Sequence, residues 1–590
     1  MDNATLARLL SETGDLLEIS GGDTFRIRSY RRAAEAAEQS TIDLVAVAGD
    51  LARLLAVPGI GKSMAANIQA AASTGSIPLR DELLQRYSPG ILDLLKLPGM
   101  GPKTIALLWD ATKIASIDQL AEAIDAGRLA GLPRMGEKQI EKLRRGIDEF
   151  RKSAGRFRID EAEDSAERVI QYLLAFEGGN GGIDRVTPAG SLRRGRETAG
   201  DLDLLVTGPA CEPDKASAAV EYTANYPGIR DMIARGENKV SFYLGNSLQV
   251  DVRLLPSASY GAALQYFTGS KMHNVTLRQR ALKMGYTLSE WALARLNDGP
   301  DGPAGSVVAA ETEESIYAAL GMDWMPPEMR ENLGEIEVAI RHQLPRLIEQ
   351  SDLRGDVHMH THATDGHNSI REMADAALER GYQYIAITDH SKNLAMTNGL
   401  DAERALEHIR QIRQVDQEME GRIRVFPGIE VDILGDGQLD LPDEVLAQMD
   451  VVIASVHTLF NQPKEEMTAR VLRALENPYT RILGHPTGRL LLRREPFSID
   501  LPAILRRAAE LGVAVEHNAA PERLDLSDRD LRLAKELGCK IVVNTDAHTT
   551  RHLDKMKYGI RQLRRAWLTA HDVLNTLAPE AFLAALRPRP

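Results

Sequence analysis

Cysteine is nearly absent: Cys211 and Cys539 are the only two in 590 residues. Two thiols so far apart exclude a disulfide framework and a thiolate zinc site, so any metal must be held by oxygen and imidazole. Long apolar runs are missing too. No stretch reaches the roughly 18 uninterrupted apolar residues of a membrane span, and the opening Met-Asp-Asn-Ala-Thr-Leu-Ala-Arg lacks a basic segment ahead of an apolar one. The expectation is a cytoplasmic protein with no membrane partner. Nor is there an excess of positive charge: 71 Lys and Arg stand against 84 Asp and Glu, a net −13. Residues 1–150 carry 18 basic and 20 acidic side chains. Binding to a polyanion would have to rest on local sites and metal ions, because the overall field does not favour it.

What is present is the composition of a folded protein, 43% apolar and 26% charged, in a chain long enough for about three to five domains. Residues 1–150 are short Leu/Ala-rich segments between glycine turns with almost no β-branched runs, which predicts an all-helical region. Three turns resemble one another: Val57-Pro-Gly-Ile-Gly-Lys-Ser63, Leu97-Pro-Gly-Met-Gly-Pro-Lys103 and Leu132-Pro-Arg-Met-Gly-Glu-Lys138. Strands are expected at Arg185–Pro188, Leu202–Thr207, Val240–Leu244 and Leu248–Leu254, the last two forming a hairpin through Gly245-Asn-Ser247. Residues 328–350 read as an amphipathic connecting helix with Ile336, Ala339, Ile340, Leu344 and Leu347 on one side, marking the main boundary at about 330–350. Beyond it, short apolar strands at Tyr384–Thr388, Val425–Gly428, Val451–Ser455, Arg481–Leu483, Val513–Val515 and Ile541–Asn544 alternate with helical segments. That alternation predicts a βα barrel with its chemistry at the C-terminal strand ends. The histidines divide at the same place, with only His273 and His342 of the 14 lying before His358.

A Gly-x-Gly turn between helices bends the backbone tightly and presents amide N–H groups to a phosphate, independently of base sequence. Gly59, Gly61, Gly99 and Gly101 are the candidates. The third turn lacks the first glycine and is the weakest of the set. Gly61-Lys62-Ser63 is not a Walker A loop, since Ala56 stands where that loop needs glycine. In Gly200-Asp201-Leu-Asp203 the two aspartates, two residues apart on a strand, share a face, and Asp251 on the hairpin can supply a third carboxylate. Three carboxylates and two divalent ions make a phosphoryl-transfer site suited to magnesium or manganese. Gly190-Ser191-Leu-Arg-Arg194 just upstream offers a hydroxyl, a guanidinium and an expected helix N-terminus for phosphates.

Gly190-Ser191, Arg194, Gly200-Asp201-x-Asp203, Asp251-Val-Arg253 and Tyr266-Phe-Thr-Gly-Ser270 together resemble a family X DNA polymerase of the polymerase beta kind, over about residues 1–320. The resemblance implies that Gly190, Ser191, Arg194, Tyr266, Phe267, Gly269 and Asn274 bind the incoming deoxynucleoside triphosphate. It further implies that Asp201, Asp203 and Asp251 hold Mg2+ or Mn2+, that Asp251 assists deprotonation of the primer hydroxyl, and that Arg278 contacts the template. Two departures stand out. The position of the family's Schiff-base lysine holds Asn67, whose amide cannot form an imine, so lyase activity is expected to be weak or to use another lysine such as Lys62. Lys271 stands where the beta enzyme has an acidic residue.

In the second half, His358 and His360 lie two apart in Asp356-Val-His-Met-His360, with Asp365 on the next loop. His390, Glu430, His457, His485, Asp546 and His548 each follow an apolar strand. These nine positions resemble the metal ligands of a PHP domain, the polymerase and histidinol phosphatase family, over about 350–575, with up to three manganese, zinc or iron ions activating water against a phosphodiester. Arg551 is a candidate nearby cation, and His362, His367, His408, His517, His552 and His571 are read as non-ligands.

The two halves together resemble a bacterial-type family X polymerase fused to a PHP domain. The expected fold is multidomain: a helical 8-kDa-like region with a helix-hairpin-helix (1–85), a fingers-like helix-hairpin-helix region (86–150), an α+β nucleotidyltransferase palm (151–258) and thumb (259–325), a linker helix (326–350) and a distorted (β/α)7 PHP barrel (351–585). The resemblance implies gap-filling synthesis on primer-template DNA with 3′→5′ exonuclease and abasic-site cleavage, in a monomer acting in repair. Two rivals remain: a DNA-binding scaffold with an inert polymerase site, and a phosphatase acting on small phosphate monoesters.

Overall fold

The computed structural model describes residues 3–39, 44–57, 59–87, 90–95, 97, 100–129, 132, 135–153, 155–178, 181–298, 303–394 and 397–587. The chain divides into two compact units, Met1–Ala154 and Gly155–Pro590.

The first unit is helical throughout its described residues: α1 (Asn3–Ile19), α2 (Thr24–Gln39), α3 (Leu51–Leu55), α4 (Lys62–Thr74), α5 (Pro78–Tyr87), α6 (Ile91–Leu94), α7 (Pro102–Thr112), α8 (Ile117–Asp125) and α9 (Glu137–Ser153). The three similar turns share a bond: Ile60, Met100 and Met135 donate their N–H to Val57, Leu97 and Leu132 carbonyls, each at 3.1 Å. All three donors are buried in the common apolar core. One apolar residue per turn thus pins each bend and aims the helix that follows.

The second unit begins with α10 (Ile159–Leu174), whose buried Ile159, Ala162, Ala166, Val169 and Leu173 recur at helical spacing and cover a five-stranded sheet. Its strands are β1 (Arg185–Pro188), β2 (Asp201–Thr207), β3 (Ile229–Arg235), β4 (Lys239–Leu244) and β5 (Gln249–Leu254), in the order β1-β2-β5-β4-β3. Only β2 and β5 pair in parallel. Between β1 and β2 lies the single turn α11 (Gly190–Arg193). Next come α12 (Tyr260–Thr268), α13 (Lys271–Lys283), the three-stranded antiparallel sheet β6 (Tyr286–Leu288), β7 (Leu293–Arg295) and β8 (Val307–Ala309), and α14 (Glu313–Ala319).

The helix expected over 328–350 is a correction. Only α15 (Glu335–Ile340) forms; Arg341 and His342 turn out of it, His342 at φ +55°, and the chain runs irregularly through 343–349. Pro345 has no N–H to give to a continuing helix.

Seven parallel strands follow in chain order: β9 (Gly355–Asp356), β10 (Tyr384–Ile387), β11 (Arg424–Asp432), β12 (Val451–Ser455), β13 (Ile482–Leu483), β14 (Ala514–Asn518) and β15 (Ile541–Asn544). A parallel bridge between Met359 and Ala547 brings the first and last strands together, so the sheet nearly closes into a barrel. The strands are buried on both faces, as a parallel sheet under helices requires. One face builds a small core from Tyr384, Phe426, Val451, Ile482, Ala514 and Val542, plugged by Phe582 and Leu586. Residues two apart share a face, so that face continues from Phe426 to Glu430 and from Ala514 to Glu516. One end of the lumen is therefore apolar and the other is lined with carboxylates. The barrel helices include α16 (Ile370–Glu379), α17 (Ala402–Glu418), α18 (Lys464–Glu476), α19 (Leu501–Leu511), α20 (Asp528–Glu536) and α21 (Met556–Arg565). Leu524 and Tyr558 of the barrel region belong to the core of the five-stranded sheet. Among the described residues, no helix is long and apolar enough to cross a membrane.

Candidate active sites

Parallel pairing of β2 with β5 puts Asp203 opposite Asp251 and Asp201 opposite Gln249. Burial alternates along β5 and over the first four residues of β2: Leu202, Leu204, Val250 and Val252 point into the core, which turns the aspartates to the other face. Asp203 is pushed up to about 6, first by burial and then by the charges of Asp201 and Asp251. Asp251 goes the other way: burial opposes ionisation, but Ser241 and Lys239 beside it outweigh that. The Lys239 ammonium lies 3.0 Å from Asp251 Oδ2, while Oδ1 is buried without a hydrogen-bond partner.

Gly190 opens α11 at φ +58°, and a Cβ there would lie 2.7 Å from Asp203 Oδ2. Only glycine lets the turn approach the carboxylate so closely. The helix N-terminus expected here is present, but α11 is only four residues long, so the groups it offers an anion are mainly side chains. Ser191 Oγ is buried with no partner, an unsatisfied donor fit for a phosphate oxygen. Arg194 is anchored, its Nη1 donating to Thr268 O at 2.6 Å and its Nε to Glu331 Oε1 at 3.1 Å. Gly269 follows α12, its Cβ position 3.2 Å from Arg194 Nη1.

Tyr266 and Phe267 meet edge to face with centroids 5.0 Å apart, each under a guanidinium: Arg278 over Tyr266 at 4.9 Å and Arg253 over Phe267 at 4.2 Å. Asn274 donates to Tyr266 O and accepts from Gln265, both at 2.7 Å. Lys271 is exposed at the start of α13. In the first unit, Gly59 has φ +93°, and Gly61 and Gly101 are the extended N-cap residues of α4 and α7, with no side chain capping either helix. The leading amides of both helices are left to other acceptors. Gly99, with Pro133 and Arg134 of the third turn, lies outside the described residues. Asn67 is half-buried on α4 and donates to Ser63 O at 2.9 Å.

At the barrel's carboxylate end, the nine expected positions converge. His360, Asp365, His390 and His548 form one group whose ligand atoms all lie within 4.8 Å of one another; His358, His360 and Asp546 form a second, and His390, Glu430 and His457 a third. Glu430 is the hub: His358, His390 and His457 nitrogens lie 3.3, 3.0 and 3.2 Å from its oxygens, and His485 Nε2 lies at 2.9 Å. His358 Nε2 and His360 Nδ1 are buried without hydrogen-bond partners, as ligand nitrogens must be. Three acids and six imidazoles in one buried space suit metal cations.

The charges already press on one another. Burial works against a charged His390, yet Glu430 and Asp365 push it up to about 10, whereas burial with His390 and His548 pushes His360 down to about 4. Burial likewise opposes Glu430, but His457, His358 and His390 hold it well below the usual carboxylate range.

Several functional groups have no motif in the sequence. Glu516 accepts from or pairs with His358 Nδ1 at 2.7 Å and accepts from His485 N at 2.8 Å, fixing the ring so that Nε2 faces the cluster. Asp432 does the same for His457 Nδ1 at 2.8 Å. Arg523, on the loop after β14, brings Nε to 3.6 Å from Asp546 Oδ2 and so sets a cation beside the cluster. Arg551 is exposed on the turn Thr550–Lys555. Of the remaining histidines, His408 pairs with Asp389 at 2.8 Å, His517 with Leu526 O at 2.8 Å, and His552 accepts from His548 N; His362, His367 and His571 are exposed. The one available signal for Glu516 was an acid directly after the apolar run Val513–Val515.

Family models match four parts of the chain: a helix-hairpin-helix domain at 1–77, a SAM-like helix-hairpin-helix tandem at 91–149, the DNA polymerase beta thumb at 263–331 and a PHP domain at 356–510. The DNA polymerase/3′-5′ exonuclease PolX of Bacillus subtilis (strain 168) is 37% identical over 588 residues, 99% of either chain. A probable phosphatase of Thermoanaerobacter sp. (strain X514) is 30% identical over 38% of this chain and 89% of its own. DNA polymerase lambda of Rattus norvegicus is 26% identical over 52% of this chain and 53% of its own. With a polymerase-type carboxylate strand and an imidazole barrel in one unit, and a relative matching end to end, the chain belongs to the bacterial family X DNA polymerases that carry a C-terminal PHP domain.

Proposed function

We propose that this chain is a template-directed DNA polymerase that fills short gaps, with a 3′→5′ exonuclease, and abasic-site cleavage, in its barrel, acting in repair. The carrying observation is that one compact unit holds both an in-register carboxylate pair beside the unpartnered Ser191 hydroxyl and the nine-group cluster around Glu430.

In synthesis, Ser191 and Arg194 hold the triphosphate, Tyr266 and Phe267 lie against the sugar, and Asn274 and Arg278 face the base pair. Asp251, kept ionised beside Lys239, helps take the proton of the primer 3′-hydroxyl as its oxygen attacks the α-phosphorus and pyrophosphate leaves. Asp201, Asp203 and Asp251 would hold magnesium or manganese, which lowers the hydroxyl's pKa and neutralises the leaving group. The turns at Gly59–Gly61 and Gly99–Gly101 bind backbone phosphates.

In degradation, the nine barrel residues would hold manganese, zinc or iron, which activates water at neutral pH. Glu516 and Asp432 orient the imidazoles, and Arg523 meets the charge developing on the phosphate. We assign 1–85 and 86–150 to the helix-hairpin-helix regions, 151–258 to the palm, 259–325 to the thumb, 326–350 to the connection and 351–585 to the barrel.

Two variants test the division of labour on a labelled primer. Asp251→Ala abolishes extension and leaves shortening intact, while His360→Ala does the reverse. Loss of both activities in either folded variant would contradict it.

A further inference from the structure

The turn that carries Ser191 and Arg194 is held from the barrel side. Gln562 and Arg565 stand on α21, one face of which is packed against this turn. Gln562 Nε2, fully buried, donates to Gly195 O at 2.7 Å. Arg565 Nη1 donates both to Arg194 O at 2.8 Å and to Glu331 Oε1 at 2.9 Å, and its Nη2 donates to Asp528 Oδ2 at 2.8 Å. Glu331 in turn accepts from Arg194 Nε at 3.1 Å, with Arg196 farther off at 3.8 Å. Gly195 completes the fit: at φ +67°, its Cβ position lies 3.1 Å from Arg561 Cβ. The arginine proposed to bind the triphosphate therefore shares one carboxylate oxygen with an arginine of the nuclease barrel.

Sharing has a direction. Arg565 is 3% exposed and Glu331 is 14% exposed, so their interaction is weakly screened. A Glu331 carboxylate divided between two guanidiniums leaves more positive charge on Arg194 for a phosphate than one paired with Arg194 alone. We infer that Arg565 and Gln562 of the PHP barrel are positioning residues for the polymerase's triphosphate site, acting through Glu331 and the Arg194–Gly195 backbone. This rests on the proposed role of Arg194 in nucleotide binding.

The test uses the full-length protein on a gapped duplex, measuring KM and kcat for nucleotide incorporation. A non-hydrolysable deoxynucleoside triphosphate is titrated into the protein–DNA complex as a second readout, and exonuclease rate serves as the folding control. Arg565→Gln raises KM and the analogue's Kd about tenfold, with kcat within about twofold and exonuclease unchanged. Adding Glu331→Gln to Arg565→Gln recovers most of that loss, because the unshared carboxylate is gone. A merely structural contact would make the double variant worse than the single one, and that result overturns the inference, as does an unchanged KM in Arg565→Gln. Should Arg565→Gln lose both activities, Gln562→Leu decides: a KM increase of about threefold with normal exonuclease supports the inference, and no increase overturns it. If the unsubstituted protein neither extends primers nor binds the analogue, the polymerase reading itself fails; if it does both and the variants match it, only the inference fails.

Discussion

Asp203 sits beside two neighbouring aspartates, and its carboxyl is pushed up to about 6, first by burial and then by Asp201 and Asp251. An acid whose folded value is raised destabilises the fold once it ionises. The penalty is absent below about pH 4, where folded and unfolded chains are both protonated, grows between about pH 4 and 6, and is constant above. Two units correspond to about 3 kcal/mol as an upper bound. Asp203→Asn in chelator-treated protein is therefore expected to raise Tm at pH 7.5 by a few degrees and to change it little at pH 4, while abolishing synthesis. Thermal melts at the two pH values check this, and an equal gain at both would contradict the account. Asp201, Asp203, Asp251 and eight of the nine barrel positions are legible in the sequence because each sits at or just past a strand end or at period two along a strand, while Asp365 lies on the loop that follows His360. Glu516, Asp432 and Arg523 are not, since they act through atoms brought near by folding: Glu516 orients His358 from a strand five places along the barrel from β9.

At the scale of elements, the turn α11 is tightly constrained. Gly190→Ala forces a methyl to within 2.7 Å of Asp203 Oδ2 at a positive φ. The expected outcome is a loss of synthesis of about a hundredfold, the cost of displacing reacting groups by about an ångström, with exonuclease activity unchanged. Primer extension and shortening on one preparation check it, and synthesis near that of the unsubstituted protein would contradict the close approach. Among the elements, apolar strands such as Val451–Ser455 and Ile541–Asn544 announce themselves, because burial on both faces demands continuous apolar residues. β3 escapes a sequence reading for the opposite reason: Arg230 through Arg235 are exposed on an edge strand, so no alternation marks it. The connecting helix was overextended because Leu344 and Leu347 fall on the helical stripe by spacing alone, while His342 and Pro345 break the backbone between Ile340 and Leu347.

At the scale of the molecule, histidine content changes near residue 350, but packing divides the chain at 154. The two observations measure different things. Histidine marks where imidazole chemistry begins, whereas the packing boundary follows apolar contact, and Leu524 and Tyr558 carry the core of the five-stranded sheet into the barrel. Polar contacts follow the same seam: Arg489 reaches Glu197 at 2.6 Å, the Tyr558 hydroxyl donates to Glu163 at 2.8 Å, and Arg561 pairs with Glu163 at 2.6 Å. The central claim is that synthesis and degradation of one DNA end reside in this single body. A 5′-labelled primer on a gapped duplex, incubated with manganese and with or without deoxynucleotides, tests it most directly. The account predicts a primer that lengthens with nucleotides and shortens without them. A primer that only shortens would reduce the carboxylate strand to part of a DNA-positioning module, and one that never changes length would contradict both sites.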